Sequence, residues 1–168
     1  MTFVDAYVAE FGQEMATTRA LLARVPEARA EWRPHPKSRP LGELAQHIAN
    51  LVGYAEPIVR RTEWDASASG GAQPAMAPFS STAALLASFD ANVISARAAI
   101  AAATDAEMAE PWALKRGSTV IFALPRAVAL RTFLLNHLVH HRGQLSVYLR
   151  LLDVPLPSVY GPTADEAR

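Results

Sequence analysis

The chain has no cysteine among its 168 residues. That excludes disulfides, thiolate metal ligands and a cysteine nucleophile, leaves imidazole and carboxylate as metal donors, and fits a reducing compartment. Net charge is missing too, with 16 Lys and Arg against 16 Asp and Glu. No basic run is available to displace counterions, so no nucleic-acid partner is expected. Charged residues make up 19% of the chain and hydrophobic ones 51%, a balance that excludes general disorder and suggests extra surface buried between subunits. Long hydrophobic runs are also lacking: no segment is read as approaching membrane-spanning length. Met1-Thr2-Phe3-Val4-Asp5 carries neither a charged leader nor an uninterrupted apolar stretch. The expectation is a soluble cytoplasmic protein with no membrane partner, one domain over residues 1–168 with a core that needs no staples.

What the sequence does have is helical periodicity. Residues 3–25 repeat Val4, Tyr7, Val8, Phe11, Met15, Thr18 and Leu22 at threes and fours, with Thr2 as cap. The four prolines from Pro26 to Pro40 end that helix. A second helix, about 41–60, starts near Pro40 with Ser38 or Arg39 at its start and Glu43 in its first turn; its face is Leu44, His47, Leu51, Tyr54 and Ile58, and Pro57 predicts a kink or early end. Residues 62–80 are patternless and read as a mobile loop able to cover a site. Ser80, Ser81 or Thr82 caps a third helix, about 82–103, with the stripe Leu85, Leu86, Phe89, Val93, Ala96 and Ile100. A link over 104–124, with a short extended piece at 118–122, leads to the fourth helix, about 125–152, closed by Pro155 and Pro157. These elements predict an all-α four-helix bundle with long crossover links.

Three of the five histidines fall within five positions of the fourth helix, at His137, His140 and His141. On a straight α-helix His137 and His141 differ by about 40° in direction, so both rings can reach one ion; His137 and His140 could also converge, but the first pair lies nearer the centre of the stripe. His47 on the second helix is the natural third ligand. By angle Leu130, Phe133, Leu134, His137, His141, Gln144, Tyr148 and Leu151 face inward, while Val128, Leu135 and Val139 form an apolar back that a second subunit, or another part of the same chain, would cover. A lone inward histidine is usually a hydrogen-bonded core residue. Three are harder to account for that way, since each unpaired buried ring costs on the order of 1–3 kcal/mol.

Glu43 and Asn50 are placed to accept a proton from His47 and fix its tautomer, with a first-turn charge facing solvent as the other reading of Glu43. His35, in a proline-rich loop, is given no metal role. Tyr54, Tyr148, Met15 and Met108 read as core or rim residues. Gly143 at mid-helix costs about 1 kcal/mol relative to alanine, which a close helix contact or a short path to the site would explain. Arg142 reads as an exposed charge and Gln144 as a core-edge amide, with substrate contact as the other reading of both.

Leu41-Gly42-Glu43-Leu44-Ala45-Gln46-His47, the block His137-x-x-His140-His141-Arg142-Gly143-Gln144-Leu145 followed by Tyr148-Leu149-Arg150, and the tail Val154-Pro155-Leu156-Pro157-Ser158-Val159-Tyr160-Gly161-Pro162-Thr163-Ala164-Asp165-Glu166 resemble the DinB/YfiT-like family. The resemblance runs from the Glu31-Trp32-Arg33-Pro34 loop to the end of the chain. It implies a small four-helix bundle of unusual connectivity, a homodimer, and a divalent ion held by His47, His137 and His141. Pro40 departs from the pattern, where a capping serine or threonine is more usual. Some relatives are metal-dependent transferases that use low-molecular-weight bacterial thiols, and the family name records damage-inducible expression. What the resemblance implies is a metal-dependent thiol S-transferase or hydrolase acting on a small-molecule substrate.

Three imidazoles would leave a divalent ion (Zn, Ni, Fe or Cu) an open position, where a metal-bound water or thiolate is the expected nucleophile; no side chain is assigned a catalytic role of its own. Two other readings stand beside this one, a non-catalytic metal-binding stress-response module and a metal-free bundle with core histidines.

Overall fold

The computed structural model describes residues 2–67 and 78–166. Helix α1 spans Phe3–Leu22 and is closed at its start by a reciprocal cap between Thr2 and Asp5. A short 3-10 turn, Glu27–Arg29, leads toward α2, Leu41–Val52. Pro40 takes the N-cap position without a side-chain hydrogen bond. Backbone carbonyls do the capping instead: Leu41 N–H donates to Trp32 O (2.9 Å) and Gly42 N–H to Ala30 O (2.8 Å), satisfying donors that every helix start leaves open.

The second predicted helix is two helices. α2 stops at Val52, and α3, Ala55–Arg60, follows after Gly53 and Tyr54. Proline excludes the carbonyl four residues before it, so Pro57 breaks the chain at Gly53 and then sits in the first turn of α3, where its missing N–H costs nothing. Ser81 caps α4, Thr82–Ala101. The sequence reading found no segment approaching membrane-spanning length, yet α4 is long and apolar enough by length and composition. Here it lies in the bundle against α1, α2 and α3.

Strand content is the main correction to an all-α fold. Glu63–Asp65 forms β1, inside the segment read as a loop; residues 68–77 of that segment lie outside the described residues. The link over 104–124 is likewise structured, with α5 at Asp105–Ala109, β2 at Pro111–Arg116 and β3 at Thr119–Pro125. The sheet order is β1-β2-β3, parallel between β1 and β2 and antiparallel between β2 and β3. Gly117, at φ 61°, supplies the left-handed residue of the β2–β3 turn.

The fourth helix runs in three pieces: α6, Arg126–Ala129; a π-helical stretch, Leu130–Asn136; and α7, His137–Leu151. Around the bundle the order is α1, α4, α2, α7. The links that follow α1 and α4 therefore carry the chain across bundle diagonals; of the two links whose length predicted crossovers, the one over 104–124 is a crossover and the one over 62–80 joins neighbouring helices.

Candidate functional site

Half-buried His47 projects from α2 toward half-buried His137 and His141 of α7, where the two helices pack together. Ring centroids are 5.3 Å apart for His47 and His137, 4.6 Å for His47 and His141, and 4.7 Å for His137 and His141. One nitrogen from each ring lies within 4.8 Å of the other two, a group that could hold a metal ion. His140 is exposed and stands outside this group although its ring is 4.9 Å from that of His141. His35 stays in its loop, its Nδ1 accepting from the Lys37 backbone.

A hydrogen bond on α7 fixes which nitrogen of His141 faces inward. His141 Nδ1 lies 2.7 Å from Gln144 Oε1, an acceptor, so this nitrogen carries the proton. His141 Nε2 then presents its lone pair to His137 Nε2 across 2.9 Å. Between two neutral rings that contact holds one shared proton. A divalent cation can take the place of that proton, and an amide partner on the outer nitrogen is how metal-ligating histidines are commonly oriented.

Electrostatics favour neutral rings. Burial pushes His47 down to about 4, with further lowering by the charges of His141, Arg39 and His137. His137 and His141 are lowered for the same first reason, and Arg39 contributes to each. Neutral imidazole is the form that binds metal. Arg39 carried no sequence signal: it lies in the loop before α2, and only the fold sets its charge near all three rings.

The sheet supports the other wall. Phe133 packs at tilted or edge-on angles against His137 (6.2 Å), Trp112 of β2, Phe122 of β3 and Tyr54. The strands missed in the sequence thus back the aromatic side of the site.

Several side chains around the cluster stand elsewhere than a straight helix predicts. Of the predicted stripe Leu130, Leu134 and Tyr148 are buried, but in α7 the other buried positions are Leu138, Arg142, Leu145 and Leu149; Leu151 is exposed, as is Gln144, and the histidines lie on the flank of the core. On the apolar back, Leu135 is buried within this chain, the second of the two readings of that face, while Val128 is exposed. Arg142 is not a surface charge: 2% exposed, it pairs with Glu14 Oε2 at 2.6 Å and donates to Tyr160 Oη at 2.6 Å. Gly143 makes no close helix contact, because a Cβ there would meet nothing within 4 Å. Asn50 does not orient His47; its Oδ1 accepts from Gln46 Nε2, and Glu43 faces solvent. Met15, Met108 and Tyr148 are core residues as read, with Tyr54 packed at the rim.

Comparison with known proteins gives the family. The sequence model of the DinB superfamily matches residues 10–145. The chain belongs to the DinB superfamily. This DinB-superfamily chain is similar in fold to a DinB-like protein from Bacillus cereus ATCC 10987, with a TM-score of 0.71 and 20% identity over 93% of this chain and 97% of that one. A DinB-like protein from Bacillus subtilis, YjoA, has a TM-score of 0.66 and 19% identity, covering 90% and 95% respectively. The curated protein YrdA of Bacillus subtilis (strain 168) is 42% identical over 38 residues, only 23% of either chain.

Proposed function

We propose that this DinB protein holds a divalent metal ion through His47, His137 and His141 and uses it as a metal-dependent enzyme, a thiol S-transferase or hydrolase acting on a small molecule. The observation that carries the reading is the convergence of one nitrogen from each of the three rings within 4.8 Å, with the His141 Nε2 lone pair turned inward by the Nδ1–Gln144 bond. Three neutral imidazoles fit a borderline divalent ion such as Zn, Ni or Fe. The ion, when bound, would supply a Lewis acid with an open position that lowers the pKa of a coordinated water or thiol. The chain's own residues do the rest: Gln144 orients the His141 ring, and Phe133 and Tyr54 shield one side from water. Arg39 adds positive charge where an anionic nucleophile would form. A homodimer, as the resemblance implies, would cover the exposed Val128, Val147 and Leu151.

The test is elemental analysis of untagged protein purified without chelator, followed by turnover assays with bacterial thiols and electrophiles. One metal per chain, lost in His137→Ala together with turnover, is the expected result. Saturating metal at 100 times its Kd should also stabilise the fold by about 2.7 kcal/mol. Protein that neither contains nor takes up metal overturns the reading; metal without turnover leaves the non-catalytic module.

A further inference from the structure

A cavity of about 320 Å³ adjoins His47 on α2 and includes Gln46 and Asn50 in its lining. Asn50 is 6% exposed and Gln46 7%. Their amides bond to each other, Gln46 Nε2 donating to Asn50 Oδ1 at 3.1 Å, which uses the Asn50 acceptor and leaves its Nδ2 buried without a partner. An unmet buried donor costs about 1–3 kcal/mol, and folded proteins leave few of them. The opposite wall is constructed with equal economy of space. The Phe79 ring lies so close to α2 that a Cβ on Gly42 would come within 3.0 Å of it, and within 3.1 Å of the Ala30 Cβ. Glycine at 42 is what lets an aromatic ring close the cavity.

We propose that this cavity is a ligand subsite that takes a carbonyl or carboxylate oxygen, with Asn50 Nδ2 as the donor and the Phe79 ring as the apolar wall. The open atom is a donor, so its partner must be an acceptor, and an amine or a hydrocarbon leaves the donor unmet. His47 and Asn50 are three residues apart on α2 and share a face. A molecule anchored at the histidine cluster can therefore extend along this face toward Asn50, since both residues line one cavity. Arg39, which also lines the cavity, favours the ionised form of an acid. Nδ2 exposes less than 1 Å², so the incoming oxygen reaches it when the Gln46 amide beside it turns. This inference rests on the metal reading only for the other end of the ligand.

The experiment compares two probe thiols of one shape, 3-mercaptopropionamide and 3-methyl-1-butanethiol, titrated against cobalt-loaded protein through the sulfur-to-cobalt charge-transfer band. Asn50→Leu should move the preference between them about tenfold against the amide while leaving the alkyl thiol within twofold. Asn50→Asp, which substitutes an acceptor, should reject 3-mercaptopropionate, and it replaces the leucine variant if that fails to fold. An unchanged preference, or equal weakening of both probes, overturns the subsite. If cobalt does not load, the metal reading fails alone, and the same ratio is measured on metal-free protein from the His47 ring resonances. The wild-type order of the amide and acid probes then tells a neutral carbonyl ligand from an acid.

Discussion

Replacing Glu14 by glutamine keeps the shape of a buried side chain and removes the one carboxylate that faces Arg142. The Arg142 guanidinium is 2% exposed, with Glu14 Oε2 at 2.6 Å, the Glu14 carbonyl and Thr18 Oγ1 each at 3.2 Å, and Tyr160 Oη at 2.6 Å. Tyr160 Oη in turn donates to the Glu14 carboxylate at 3.0–3.1 Å, so three side chains close one network that ties the C-terminal tail to α1 and α7. Breaking a buried pair from one side leaves an uncompensated charge, at about 3–5 kcal/mol. A domain of this kind has only about 5–15 kcal/mol in total. With a urea slope of about 2 kcal/mol per M, the midpoint of Glu14→Gln should fall by about 1.5–2.5 M at pH 7, followed by circular dichroism. The double variant Glu14→Leu, Arg142→Met removes both charges and should be distinctly more stable than either single change, because apolar replacement of a whole buried pair is often neutral. A loss below about 1 kcal/mol in Glu14→Gln, or a double variant as damaged as the sum of the singles, would refute this account of Arg142.

Metal-free protein should lose stability as pH falls from about 6.5 toward 4. Burial holds His47 at about 4, below its ordinary value of 6.5; the unfolded chain therefore takes up the proton first, and the contribution is complete above 6.5 and lost on acidification. Because the ring is half-exposed, solvent screening reduces this to on the order of 1 kcal/mol. His47→Gln should flatten that part of the urea-midpoint profile, and an unchanged profile counts against it. Gly143→Ala should gain about 0.5–1 kcal/mol, since the position is exposed, helical and free of neighbours. A loss instead would mean that another molecule packs on this face.

The helices were legible because their apolar residues recur at threes and fours and their starts carry Thr2 and Ser81. The triad was legible because His47, His137 and His141 belong to two long, strongly patterned segments. The strands were not: β1 is three residues long, and β2 alternates only Trp112 and Leu114 as buried positions between a proline and a charged turn, too short a pattern to separate from a link. Capping of α2 by the carbonyls of Trp32 and Ala30 leaves no trace in side-chain identity. Arg39 and the Glu14–Arg142 pair depend on contacts more than 100 residues apart, or on the path of a loop, which local pattern does not encode.

The misplacement of the inward stripe has a single local cause. A straight α-helix starting from buried Leu130 and Leu134 carries His137, His141 and Tyr148 along the same line, which is how angles on a 3.6-residue helix place them. The chain instead spends Leu130–Asn136 in π geometry, whose wider turns use more residues per revolution and so rotate everything downstream. After that rotation Leu138, Arg142, Leu145 and Leu149 point into the core, and the histidines come out on the flank that faces α2. A fully inward pair would be sealed among leucines with no route for a ligand. On the flank the same two rings meet His47, which itself borders the cavity lined by Asn50, and His141 keeps Gln144 as its outer partner. The distortion ends at Asn136, one residue before the first ring, so the irregular turn and the histidine cluster read as one feature of the fold.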